Sequence, residues 1–310
     1  MTIDDHETRF AGLPIVELGA DDQLKDTADS AWRLSLSYED VDDGGSMVDR
    51  LDDLFDHPEA ADISALVIGA WDFDSSTSSQ ALIEKLVQDK NKLPSLRALF
   101  IGDITFEEQE ISWIQQSDVT PLLKAFPRLE ILRVRGGEGL ELQPTNHQNL
   151  RELVIEAGGL PAKVIRGALA CQFPRLERLE LWTGDSGYGA DSSIADFEAL
   201  FEGGLFPGLK QLGIRDCQYT DDVVAGLFSA PLLKRLRTVD LSLGLLSDVG
   251  GKVISMSAEA FRHLEKLDLH YHFLTDGMVA ELKATGLPLD LSDQQTPEGP
   301  DGERYVAVAE

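Results

Sequence analysis

The chain is poor in reactive chemistry. It has two cysteines, Cys171 and Cys217, 46 positions apart and without CxxC spacing. That rules against a disulfide framework or a zinc ribbon and leaves two buried free thiols in a reducing compartment as the expectation. Aromatic residues are 7% of the chain, so any core must be mainly aliphatic. No window approaches the roughly 18 apolar residues of a membrane span. The opening MTIDDHETRF lacks the basic flank and apolar run of a signal peptide, and the expected location is cytoplasmic. Positive charge is scarce as well: 27 Lys and Arg face 55 Asp and Glu, a formal charge of −28. Such a surface repels phosphate backbones and anionic headgroups, so neither nucleic acid nor membrane is an expected partner.

Catalytic signatures are also missing. The chain has no G-x-x-x-x-G-K-[ST] phosphate loop, no H-E-x-x-H and no G-x-S-x-G elbow. Its glycine-rich WTGDSGYGAD lacks the lysine and the spacing of a phosphate loop and reads as a connecting loop. No enzyme and no cofactor are expected.

What the chain does have is an echo. FPRLEILRVRGG at Phe126 returns as FPRLERLELWTG at Phe173. The underlying pattern, apolar-x-x-apolar-x-apolar, occurs clearly at Leu96, Leu129, Leu150, Leu176, Leu209, Leu236 and Leu264, and more weakly at Ala31, Ile63 and near Gly286. The mean spacing is about 28 residues. After most strands a further apolar residue falls five positions on, at Val41, Phe73, Phe106, Leu160, Tyr219, Leu246 and Leu274, where it is expected to floor the core. The returns YTDDVVAGLF, LLSDVGGKV, FLTDGMVAEL, SSQALIEKLV, PAKVIRGALA and ADFEALFEGG read as helices, the first three opening on Ser or Thr followed by Asp. Phe-Pro at 126, 173 and 206 is expected to stop a helix and turn the chain into the next strand.

One short strand and one helical return per unit, at this period, resembles the leucine-rich repeat family, ribonuclease-inhibitor-like in flavour and similar to stand-alone bacterial cytoplasmic members of unknown function. The resemblance implies an α/β solenoid, a horseshoe with a parallel sheet on its concave face and helices on its convex face, built from about ten repeats. Neighbouring units then share one core and the ends need caps. The expected organisation is a single domain: residues 1–30 an N-terminal cap with a strand in FAGLPIVELGA, 31–292 repeats, 293–310 a C-terminal tail or cap.

In this architecture the residues between the leucines line the concave face, in columns about 4.8 Å apart. The fifth-position column runs from Ser35 through Val67, Phe100, Arg133, Val154, Glu180, Gly213, Asp240 and Asp268 to Asp290. Two clusters emerge. Arg133, Arg135, Arg178, Trp182 and Arg215 place guanidiniums and an indole, the groups most enriched at binding hot spots, on an otherwise acidic chain. They are the candidate docking site for a protein partner with an acidic segment. The competing reading has Glu156 and Glu180 neutralise these arginines across the strands and leave a solvated face. Asp240, Asp268, His270, His272 and Asp290 form the second cluster, a candidate transition-metal site. The leading expectation is a non-catalytic, monomeric protein-interaction scaffold. Its alternatives are a metal-dependent enzyme or metal-binding protein using the Asp/His cluster, and an acidic mimic of a polyanion.

Overall fold

The computed structural model describes residues 3–19, 28–299 and 302–309. Residues 1, 2 and 20–27 of the expected cap, and 300, 301 and 310 of the expected tail, lie outside the described residues. The chain falls into two compact units. The first comprises residues 3–155 with 170–174; the second comprises 156–169 with 175–309.

In the first unit the strands are β1 (Arg9–Phe10), β2 (Leu13–Glu17), β3 (Ala31–Leu34), β4 (Ala65–Ile68), β5 (Ala98–Ile101), β6 (Ile131–Arg135) and all but the last residue of β7 (Glu152–Glu156). Its helices are α1 (Tyr38–Asp42), α2 (Met47–Asp56), α3 (Gln80–Gln88) and α4 (Thr120–Ala125). Strands β2 to β6 pair in parallel, in chain order. Leu66, Leu99 and Leu132 share one register row, and Ile68, Ile101 and Val134 the next. All six are buried, because they point to the side covered by the helical returns.

The second unit opens with α5 (Ala162–Leu169) and continues β8 (Arg178–Gly184), α6 (Glu198–Phe201), β9 (Gln211–Cys217), α7 (Thr220–Leu227), β10 (Thr238–Asp240), α8 (Asp248–Met256), α9 (Ala258–Phe261), β11 (Lys266–Asp268), α10 (Asp276–Ala284) and β12 (Leu289–Asp290). Strands β8 to β12 are again parallel and in chain order, with Leu179, Leu212, Val239 and Leu267 in one buried row. A strand thus lies at each expected position from 31 to 286, and helical or 3-10 segments form the returns between them except after β6, where residues 136–151 are irregular. Both cysteines are free and buried, and burial pushes the Cys217 thiol up to about 12. No helix among the described residues is long and apolar enough to cross a membrane.

Four expectations need correction. First, β3 pairs with β4 through Arg33↔Val67 and Leu34↔Ile68, so Arg33 holds the column position assigned to Ser35; the apolar Trp32, opposite Leu66, supplies the row. Second, Phe106 is 37% exposed and Val41 and Phe73 are only half-buried. The buried residues after β4 and β5 are Trp71 and Ile104, three positions on, because these loops turn inward earlier. Third, Ser247 and Thr275 cap α8 and α10 by accepting from Val249 N–H and Met278 N–H, but the Thr220 hydroxyl donates to Cys217 C=O at 2.7 Å and makes no such cap. Fourth, Phe206 before Pro207 adopts φ 47°, with the Arg235 guanidinium donating to the carbonyls of Gly203, Leu205 and Phe206. The Arg235 donors therefore fix that turn, beyond the bias of a following proline.

The expected N-terminal cap strand is two strands. β1 and β2 form an antiparallel hairpin about Ala11 and Gly12, both with positive φ (52° and 79°), the conformation that two-residue hairpin turns require.

Close backbone approach fixes a loop of the second unit. Gly184 has φ +72°, and a Cβ there would stand 2.0 Å from Gly158 C=O. Gly184→Ala should therefore destabilise the protein by at least about 2 kcal/mol, read as a lower urea midpoint; an unchanged midpoint would contradict this packing.

Candidate functional site

The structure distributes the predicted cluster over both units. Arg133 and Arg135 belong to the first; Arg178, Trp182 and Arg215 belong to the second.

In the second unit the centre is Glu180, which β8 places opposite Gly213 of β9, while Trp182 lies opposite Arg215. Gly213 has no side chain, so Arg215 can reach back across the gap. Its Nη1 donates to Glu180 Oε1 at 3.0 Å and its Nε to the Ser242 hydroxyl at 2.9 Å, with Asp240 at 3.4 Å. The guanidinium also lies 4.7 Å from the Trp182 ring centroid, a cation–π geometry. Trp182 Nε1 donates to Glu180 Oε1 at 2.8 Å, and Arg178 Nη2 to Oε2 at 2.7 Å. Burial pushes the Glu180 carboxyl up, but the Arg215 and Arg178 charges and the Trp182 N–H outweigh it and hold it at about 2 against an ordinary 4.5. Asp240 goes the other way: burial raises it beyond what Arg215 returns, with Asp268 adding repulsion.

This corrects the picture of an exposed hot spot. Trp182 is 7% exposed because Arg215 covers its ring, and Arg215 is itself largely covered. Arg178 remains the accessible member, its side chain 38% exposed.

Of the predicted metal candidates, Asp268, His270 and Asp290 offer ligand atoms within 4.8 Å of one another. His270 Nδ1 donates to Asp268 Oδ1 at 2.8 Å, which raises the imidazole pKa. Lys266 Nζ stands 2.7 Å from Asp268 and 3.4 Å from Asp290, so the chain's own ammonium holds the place a cation would take. Burial pushes Asp268 up, but His270 and Lys266 pull it down further, for a net lowering. His272 does not join them. It is fully buried, donates from Nε2 to Leu291 C=O at 3.3 Å and accepts Leu274 N–H at Nδ1, because the chain has turned inward at that point. Asp240 instead pairs with Arg215 and accepts the Ser242 hydroxyl at 2.5 Å.

In the first unit the strand face is covered. Phe10 of the hairpin packs 5.8 Å from Phe100, centroid to centroid, in a small core with Ala31, Ala65, Val67 and Ala98. Beside it, Arg133 stacks 4.5 Å over the Phe100 ring and pairs with Glu7 at 2.7 Å. Arg135 is 2% exposed; its Nη1 donates to Ile104 C=O at 2.9 Å and lies 3.6 Å from the buried Asp103. Asp103 Oδ2 also accepts Arg33 Nη1 at 2.6 Å, and Arg33 pairs with Glu17 at 2.6 Å. Arg135 is therefore an internal brace with no free edge.

The chain segment before β1 closes this arrangement. Phe106 N–H donates to Ile3 C=O at 2.8 Å, His6 Nδ1 donates to Asp103 C=O at 3.1 Å and Glu7 N–H donates to Asp103 Oδ1 at 3.2 Å. His6 Nε2 lies 3.4 Å from Glu108, whose hydrogen bond raises the His6 pKa. Sequence reasoning missed Arg33, Asp103, His6 and Glu7. The available signal was the column itself: Val67 and Phe100 are apolar where an open face would be polar.

Glu180 gives the second unit a defined pH response. Its folded-state pKa is lowered, so its contribution is present above the ordinary 4.5 and lost as pH falls toward about 2. Glu180→Gln should cost about 3 kcal/mol near neutral pH. The gap to the unaltered protein should narrow between about pH 5 and pH 3. Denaturant unfolding across that range checks it; a gap constant with pH would contradict the ion-pair account.

No protein-family model and no curated protein matches the chain. Among solved structures, TLR13 in its complex with ssRNA13 matches at 17% identity and TM-score 0.46, covering 91% of this chain and 35% of that one. An internalin from Listeria monocytogenes matches at 17% identity and TM-score 0.31, covering 75% of this chain and 73% of that one. Neither likeness is close enough to carry an argument. A protein from Bacteroides fragilis matches at 33% identity and TM-score 0.81, covering 89% of this chain and 76% of that one. With the repeated buried rows and parallel strands seen here, that likeness shows that the chain belongs to the same family as the Bacteroides fragilis protein, a family of leucine-rich repeat proteins.

Proposed function

We propose that the protein is a non-catalytic, cytoplasmic protein-interaction scaffold that takes its partner on the strand faces and the adjoining loops, without metal or cofactor. One observation supports this above all. The guanidinium, indole and carboxylate groups between the core rows are held by strand pairing and by one another, with Arg215 fixed by Glu180, Ser242 and the Trp182 ring. A face ordered before binding loses less side-chain entropy when a partner arrives. The net charge of −28 disfavours a polyanionic partner at long range, which is why the reading favours protein over nucleic acid.

Arg178 is the residue through which a partner meets the second unit, since its side chain is the exposed end of the Glu180 network. Arg178→Glu should reduce partner recovery in affinity capture from the native host several-fold; it also lowers the thermal midpoint, because a like charge then faces Glu180, so circular dichroism checks that the captured variant is folded. Trp182→Ala is a poor probe here, because truncating a buried indole costs about 3–5 kcal/mol on its own. Unchanged recovery with Arg178→Glu would remove this site. A complex that dissolves in moderate salt and ignores Arg178 would point to the acidic surface acting as a polyanion mimic.

A further inference from the structure

The first unit carries a strand face that is already occupied. Its floor is Phe100 with the Arg133 guanidinium stacked on it, and both residues are fixed by the pairing of β5 with β6 through Phe100↔Arg133. Phe10 of the hairpin covers the Phe100 ring, and beside it an acidic stretch of the same chain, Ile-Asp-Asp-His-Glu-Thr at residues 3–8, lies against Arg133 and the loop after β5.

We infer that this face is a docking site for an extended acidic segment of a partner protein, and that residues 3–8 are a built-in occupant which such a segment displaces. The inference rests on the scaffold reading and names the partner chemistry for one of its faces.

Three observations carry it. The bound stretch shows the chemistry directly: a carboxylate, Glu7, pairs with Arg133 at 2.7 Å, while its backbone bonds to the loop after β5, Ile3 C=O accepting from Phe106 N–H and Glu7 N–H donating to Asp103 Oδ1. That combination of main-chain bonds and one side-chain anchor is how sheets and loops take extended peptides. Next, the stretch is lightly held. Residues 3–9 are half-buried or exposed, and the first fully buried residue is Phe10, so its attachments are mostly polar and screened by salt. The stretch can therefore leave while Phe10 keeps the hairpin packed on Phe100. Finally, the face does not depend on the stretch for its shape: Arg33, Asp103 and Arg135 brace one another from β3, the loop after β5, and β6.

Fluorescence anisotropy with a labelled synthetic peptide of residues 3–8 tests this on the full chain. The double variant His6→Ala with Glu7→Lys, which repels its own stretch from Arg133, should bind the peptide at least about tenfold more tightly than the unaltered protein. Adding Arg133→Glu should abolish the gain. If the double variant does not fold by circular dichroism, Glu7→Gln carries the same comparison with a milder change. No gain in a folded opened variant, or a gain that survives Arg133→Glu, overturns the inference. Should the peptide fail to bind while Arg178-dependent capture persists, the docking inference falls and the scaffold reading stands.

Discussion

Parallel strands a fixed distance apart allow no side chain on the sheet to stand alone. Each residue between two core leucines lies about 4.8 Å from its counterpart on the next strand, so a charge in one repeat must be answered in the neighbouring one or repelled by it. The second unit shows the consequence. Glu180 is met not by its row partner, Gly213, but by the arginine two residues on, and Arg215 is met in turn by Asp240 and Ser242. The row Asp240, Asp268, Asp290 would place three like charges side by side. Lys266 between two of them, and Arg215 beside the third, make it tolerable.

That constraint also explains what could be read without coordinates. The buried rows were legible because burial at strand positions demands Leu, Ile or Val at fixed spacing, and Leu99, Leu132, Leu179 and Leu212 obey it. The columns were legible for the same reason: once the rows are fixed, Glu180 beside Gly213 and Trp182 beside Arg215 follow by counting. Counting failed where an aromatic residue stood in for an aliphatic one. Trp32 takes the row position in β3, so the aliphatic pattern that starts at Ala31 is two residues out of register and puts Ser35 in the place of Arg33.

Exposure was not legible, since it depends on what comes to lie over a face. Trp182 and Arg135 satisfy every sequence criterion for a surface anchor, yet both are buried, one beneath an arginine and the other behind Asp103 and Ile104. The hairpin and the stretch before it come from a part of the chain with no repeat pattern, so periodicity could not place them. His272 fails for a related reason. Alternation along β11 would put it on the face with Asp268, but the strand ends at Asp268 and Tyr271 has φ 57°, which turns the imidazole into the core.

A chain with twice as many acidic as basic residues gains little from leaving an arginine open to solvent, and the arginines on its strand faces are accordingly already paired. Any partner carboxylate must therefore exchange with a resident one, Glu7 at Arg133 or Glu180 at Arg178. Exchange of one ion pair for another returns only the difference between them, so a single contact of this kind gives weak, reversible binding. Tight binding needs the partner to supply what the resident group lacks. At Arg133 the resident Glu7 is half-buried and belongs to a stretch with no fully buried residue before Phe10, so the exchange there costs little. At Arg178 the resident Glu180 is buried and held by three donors, so the exchange there is costly and a partner gains more by adding to the network than by breaking it. The two units thus present arginines of the same type with different thresholds for recruitment, set by how deeply the resident carboxylate is buried.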